Sequence, residues 1–273
     1  MELFDTHCHL DFESFDGDRE EVLARAGDVG VSRLLVPGLD LASSRRAVQL
    51  AASYPQPFAA VGVHPNSVRS WRGESTQAEL KVLADHPKVV AVGEIGLDYY
   101  RDHAPHDLQR QVLKHQLELA LEMALPVVLH VRNAGHKDRT CIKDLLHILK
   151  CWQKRVTQQV PALRGRLGVV HSFSGNREEA CRLIDMGFYL GITGPITYKN
   201  AHVLRGVVAA VDLARLIVET DAPFLSPHPY RGKRNEPAYV KLIAEKIGNV
   251  CDQSLEQIAR ITTKNAVCLF GLG

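Results

Sequence analysis

Eight short apolar runs, each followed by a longer amphipathic stretch, leave few folds open to this chain. The runs cover residues 2–6, 33–37, 58–63, 89–93, 126–130, 168–171, 188–192 and 216–219. Each is nearly continuous in apolar residues, as in strands covered on both faces. Helical spacing of apolar residues follows at 19–29, 44–53, 76–85, 107–123, 176–186, 201–211, 237–251 and 254–270. Strands and helices in strict alternation predict a parallel sheet, and eight such units predict closure.

The fold class expected is therefore α/β, a TIM-type (β/α)8 barrel in a single domain over residues 1–273. That length is ordinary for one such barrel. A doubly wound open sheet is the alternative, but no Gly-rich dinucleotide fingerprint follows the first strand. No repeat or Pro/Gly/Ser linker divides the chain. Residues 135–165 are rich in Lys and Arg and longer than one crossover helix needs, so a helix plus a surface loop is expected there.

Composition narrows the function classes only a little. A net charge of +2 argues against a protein coated in basic surface, although a local basic groove remains compatible with nucleic acid. None of the six cysteines forms a C-x-x-C pair, so neither a zinc ribbon nor a thioredoxin-like site is indicated. The opening residues lack a basic start and apolar core, and no apolar stretch spans a bilayer. A cytoplasmic, monomeric protein without a membrane partner is the expectation.

Chemistry enters where the strands stop. His7 and His9 close the first run, His64 the third, Glu94 the fourth, His130 the fifth and His171 the sixth, while Asp221 follows the eighth. In a parallel barrel these ends share one mouth, where barrel enzymes keep their sites. The H-x-H spacing puts two imidazoles on one side of a strand, within reach of one ion. Glu94 and Asp221 would complete that ion's shell. His130 and His171 remain for a second, with Glu94 bridging. Any one of these histidines alone reads as a core or capping residue; the joint placement reads as a metal site.

Four imidazoles and two carboxylates suit Zn, Mn, Co or Fe, and a labile site could also work with Mg. Two divalent ions are expected: Mg, Mn or Zn, with Co or Fe as alternatives. Paired ions can clamp a phosphoryl group and activate water. Asp221 and Glu94 are the expected catalytic carboxylates, Asp221 being the better placed general base. Glu219 should face the same side, deeper in the barrel, either orienting a ligand or paired internally. His64 is expected to bind substrate phosphate or orient a ligand.

Several blocks then resemble the TatD family of metal-dependent deoxyribonucleases, within the amidohydrolase-like group. They are Phe4-Asp5-Thr6-His7-Cys8-His9-Leu10, Gly62-Val63-His64-Pro65 and Gly93-Glu94-Ile95-Gly96-Leu97-Asp98-Tyr99-Tyr100. His130-Val131-Arg132, His171-Ser172-Phe173-Ser174-Gly175, Glu219-Thr220-Asp221-Ala222-Pro223 and residues 231–237 also match. They keep family order from Phe4 to Phe270. The resemblance implies a TIM barrel, divalent metals and hydrolysis of DNA phosphodiesters, commonly from the 3′ end. It carries metal-binding roles onto His7, His9, Glu94, His130, His171 and Asp221. Two features depart from the pattern: the long basic segment before the sixth strand, and Asn133, where an acidic residue often stands.

Substrate contacts are expected from Arg132, Lys199, Arg231, Lys233, Arg234 and Asn235, because barrel phosphate sites often use the last loops. Trp71, Tyr99, Tyr100, Phe173 and Tyr198 fall in predicted mouth loops, where aromatics can stack on unpaired bases. Packing beneath a loop is the plainer reading for Phe173. Single-stranded DNA or frayed 3′ ends are the expected substrate. An ester of aminoacyl-tRNA, a lactone or an amide is the alternative, and a non-catalytic metal-binding protein comes third.

Overall fold

The computed structural model describes every residue except Asp102, His136 and Gly273. Eight strands lie in one sheet in chain order: β1 Leu3–Asp5, β2 Val31–Pro37, β3 Pro57–Val61, β4 Val89–Asp98, β5 Val127–Arg132, β6 Gly168–Val170, β7 Phe188–Ile192 and β8 Leu216–Val218. All seven neighbouring pairs are parallel. Between β8 and β1 the ladder is replaced by single bonds: Thr6 N–H donates to Val218 O at 3.1 Å, and Cys8 bridges Ala222. The sheet is thus a nearly closed barrel, as the run pattern predicts.

The connecting helices are α1 Arg19–Asp28, α2 Leu41–Ser53, α3 Glu74–Ala84, α4 His106–Glu122, α5 Thr140–Gln159, α6 Arg177–Asp185, α7 His202–Val208, α8 Val240–Cys251 and α9 Leu255–Phe270. Local chemistry starts several of them. Asp40 with Ser43, Asn176 with Glu179 and Ser254 with Gln257 form reciprocal capping boxes, satisfying backbone N–H groups that lack an intrahelical partner.

Strand alternation sorts the core into two layers. Alternate residues, among them Leu34, Val61, Val92, Leu129 and Leu190, join the large cluster beneath the helices. The others, including Phe4, Leu35, Ala60, Val128, Val169, Tyr189 and Ile217, pack together with Leu269 and Phe270 of α9. This second cluster fills the barrel below the mouth, so the molecule is a plugged cylinder with one open end.

Two boundaries differ from the sequence reading. The apolar run of the fourth strand ends at Gly93, yet β4 continues to Asp98 after its register with β5 slips between Val92 and Ile95. Glycines hide that continuity. Gly96 has φ +144°, and a Cβ there would sit 2.0 Å from His130 O, so only glycine lets β4 and β5 approach. In the 135–165 segment, most of the expected loop is the helix α5 and a short turn, Pro161–Leu163. Its basic residues are partly spent: Arg139 pairs with Glu179, Arg155 with Glu118, and Arg164 donates to Thr157 O.

Candidate metal centre

The open end of the barrel gathers His7, His9, Glu94, His130, His171 and Asp221. Glu94 lies at the centre and is 2 % exposed. Its Oε2 is 3.3 Å from His7 Nε2 and 3.9 Å from His9 Nε2. Its Oε1 is 2.9 Å from His130 Nδ1, 3.2 Å from His171 Nε2 and 3.5 Å from His64 Nε2. Asp221 Oδ1 closes the first side, 3.7 Å from His7 Nε2 and 3.5 Å from His9 Nε2. One carboxylate thus faces two histidine groups with its two oxygens.

Strand chemistry explains the convergence. β4 presents Glu94 and Asp98 on one side, four residues apart, with Gly96 between. Asp98 is buried and sits 3.4 Å from His130 Nε2. It accepts N–H bonds from Tyr100 and Arg101 at 2.9 Å and from Asn66 Nδ2 at 3.1 Å. Glu219 does the same behind His171, 3.3 Å from its Nδ1, while accepting from Ser172 N. Of the two readings left open for Glu219, the geometry is that of a ligand-orienting carboxylate. Asp98 is the site residue that sequence reasoning misses; its signal is the even spacing from Glu94 on a strand that runs longer than its apolar run.

The β1–β8 seam positions the rest. Asp221 has φ +57°, a conformation that costs a residue with a Cβ about 1–2 kcal/mol. It is held there by its N–H donating to His7 O and by Phe224 N–H donating to Asp221 O, both at 2.8 Å. His9 N–H donates to Ala222 O at 2.8 Å. Beneath them Asp5 accepts from Thr220 N at 2.8 Å and from Thr220 Oγ1 at 2.6 Å. Burial, only partly offset by these bonds, pushes the Asp5 carboxyl up to about 8.

Charge is unbalanced in this cluster. Burial would raise Glu94, but His171, His64, His7 and the bond from His130 outweigh it and hold it well below the carboxylate range. Asp221 is likewise lowered, its burial overcome by His9, His171 and His7. Among the described residues, the ion pairs of both carboxylates are all with histidines. His7 Nε2 and His9 Nε2 both turn inward, 3.3 Å apart. Buried carboxylates and inward-facing imidazoles without a lysine or arginine need a cation. The donor set fits divalent ions, nitrogen ligands suiting transition metals.

His64 behaves differently. Its Nδ1 accepts from Asn66 N at 3.1 Å, so in the neutral ring the proton sits on Nε2, facing Glu94. Burial pushes the ring down to about 3 despite Glu94, with His130 adding to the effect. A neutral ring presenting N–H donates hydrogen bonds rather than holding a metal, although its position beside Glu94 and His130 would allow a ligand in the other tautomer.

The outer residues divide. Arg132 is exposed and lies over the Tyr100 ring at 3.9 Å; Arg231 is exposed and lies over Tyr198 at 4.6 Å. Lys199 and Lys233 are also exposed. Two expected contacts are corrected. Asn235 is fully buried and its Nδ2 donates to Thr220 O and Phe224 O, so it braces the loop after β8. Arg234 pairs with Asp18, donates to Ser14 O and covers Phe15, which spends its guanidinium on the loop before α1. Among the aromatics, Tyr99 is buried with its hydroxyl bonded to Asp144, and Phe173 is buried; both pack rather than face the mouth.

A parallel barrel with this mouth defines the class of metal-dependent hydrolases. A family model described as TatD related DNase matches residues 4–271. The chain is 42 % identical over 268 residues to the uncharacterized metal-dependent hydrolase YabD of Bacillus subtilis, covering 98 % of both. It is 34 % identical over 275 residues to the 3′-5′ ssDNA/RNA exonuclease TatD of Citrobacter rodentium, covering 99 % of this chain and 98 % of that one. The crystal structure of the TatD homologue YjjV from Escherichia coli superposes with a TM-score of 0.88 at 34 % identity, over 99 % of this chain and 98 % of the other. The chain belongs to the TatD family and is a metal-dependent hydrolase acting on ester bonds. Among the described residues no helix is long and apolar enough to cross a membrane.

Proposed function

We propose that the protein is an exonuclease removing nucleotides from the 3′ end of single-stranded or frayed DNA, using two divalent ions. The observation that carries the substrate class is the pair of exposed arginines at the mouth, each stacked on a tyrosine: Arg132 on Tyr100 and Arg231 on Tyr198. A guanidinium forks onto a phosphate while the ring beside it offers a face to an unpaired base. Lys199 and Lys233 add exposed positive charge. The direction of attack is taken from the relatives named 3′-5′ exonucleases.

His7, His9 and Asp221 would hold one ion and His130 and His171 the other, with Glu94 shared. The ions, when bound, would lower the pKa of water and neutralise charge on the phosphate. Asp221, its side chain 14 % exposed and its carboxyl depressed, accepts the proton from the attacking water. His64 keeps its Nε2 proton and donates it in a hydrogen bond to a phosphate oxygen. Asp98 and Glu219 hold the His130 and His171 rings in one tautomer. The free cysteines, Cys8, Cys141, Cys151, Cys181, Cys251 and Cys268, suit a reducing compartment such as the cytoplasm.

The test is hydrolysis of end-labelled oligonucleotides by metal-stripped protein re-supplied with Mg, Mn or Zn. Expected are ladders shortening from the 3′ end, only with metal, and faster on single strands than on blunt duplex. No cleavage with any metal despite confirmed loading, together with hydrolysis of a carboxylic ester, would move the reading to another bond.

A further inference from the structure

A cavity of about 910 Å³ opens beside the centre, between the loop after β1, one face of α2 and the loop after β8. Its inner end is aromatic. Phe12 stacks on the His9 ring, with centroids 4.9 Å apart and planes at 25°. Phe224 stands edge-on to Phe12 at 5.9 Å and reaches within 6.3 Å of His9. Phe224 is 51 % exposed, an uncovered ring at the edge of the mouth. Arg46, from α2, lines the same space; among the described residues it pairs only with Asp11, at 3.3 Å, and its side chain is 52 % exposed.

Charge decides what such a space can hold. Asp11, Glu13 and Asp16 line it together with Arg19 and Arg46. Arg19 pairs with Asp16 and Arg46 with Asp11, so Glu13 leaves the lining net negative, which favours a neutral ring over a run of phosphates. A flat, uncharged aromatic group fits the phenylalanine corner, and Arg46 offers N–H donors to ring acceptors. The volume lies in the range of small-molecule sites, about 300–1,000 Å³.

We infer that this cavity is a nucleobase subsite, taking the base of the nucleotide at the reacting end, stacked on Phe224 beside His9. The inference rests on the nucleic-acid reading above and adds to it where the strand's last base goes. Held there, that base would set its phosphodiester against the centre while the rest of the strand follows the Arg132 and Arg231 side.

Binding of dAMP and of 2-deoxyribose 5-phosphate to the metal-loaded protein, measured by calorimetry, isolates the base. Stacking of one base predicts dAMP to bind about 5- to 160-fold tighter. Phe224→Ala should bring the two ligands to within about twofold, and Phe224→Tyr should restore the difference, which general loss of packing would not do. Equal binding of both ligands to the wild type would overturn the subsite, as would a preference untouched by Phe224→Ala. Oligonucleotides ending in an abasic nucleotide separate this from the nuclease reading. Cleavage as fast as on normal ends would keep the nuclease and discard the subsite. Absence of all cleavage with Phe224-dependent dAMP binding would discard the nuclease and keep the subsite.

Discussion

His130 and His171 each turn one ring nitrogen into the centre and the other toward a buried carboxylate, Asp98 at 3.4 Å and Glu219 at 3.3 Å. The outer nitrogens of all four rings are buried without a hydrogen bond, but His7 and His9, which also turn Nε2 inward, have no carboxylate within ion-pair distance of Nδ1 among the described residues. Their rings are held instead by stacking, His7 on His171 at 3.8 Å and His9 on Phe12 at 4.9 Å, and by the backbone bonds of the β1–β8 seam. One half of the centre is thus oriented by ionisable side chains and the other by packing and backbone. Removing a single carboxylate can retune the first half; behind the second, among the described residues, only Asp11 acts on His9, and from beyond ion-pair distance.

The largest effect should come from the group both halves share. Glu94→Ala should lower hydrolysis by more than about 1,000-fold and reduce bound metal in both halves, as measured by elemental analysis beside kinetics. Retention of one tightly bound ion would break the bridging role.

Next come Asp98→Asn and Glu219→Gln, each expected to weaken metal binding by about 10- to 100-fold. Metal titration should show one ion weakened and the other unchanged, because His7 and His9 do not lean on either carboxylate. Equal weakening of both ions would erase the difference between the halves.

The smallest effect is on pH dependence. His130 is raised above 6.5: burial opposes this, but Asp98 and Glu94 outweigh it. His171 is raised well above 6.5, burial again being overcome by Glu94 and Glu219. His7 is lowered by burial and by His171. An ion entering beside His130 must displace a proton, so its affinity should climb up to about tenfold per pH unit until the raised pKa is passed. Asp98→Asn should bring that plateau to lower pH. In the metal-free protein the sign reverses. The raised histidines stabilise the fold fully below about 6.5, and this contribution is lost as pH rises through their folded values. Calorimetry in buffers of different ionisation enthalpy reads the proton release directly. Metal binding without it would contradict the raised values.

What was legible in the sequence follows from these differences. The barrel could be read because its strands are covered on both faces and stay apolar almost without interruption. The convergence of His7, His9, Glu94, His130, His171 and Asp221 could be read because strand ends and side-chain alternation are local properties. Asp98 could not, because Gly93 and Gly96 break the apolar run while the strand itself continues. Arg234 and Asn235 read as phosphate contacts until the fold brings Asp18 to the first and Thr220 O to the second, partners the local spacing does not show. The Phe12–Phe224 corner joins residues more than two hundred positions apart, and no periodicity announces it.

The seam has a consequence for how the enzyme comes into being. His7 and His9 stand more than two hundred positions before Asp221 and the α9 residues that pack under β1, yet the seam sets them side by side. Thr263 Oγ1 donates to Glu2 O at 3.0 Å, fastening the final helix to the opening strand. The centre exists only once β1 and β8 have met, and loosening this clasp, as in Thr263→Val, should weaken the hydrolase without touching a catalytic side chain.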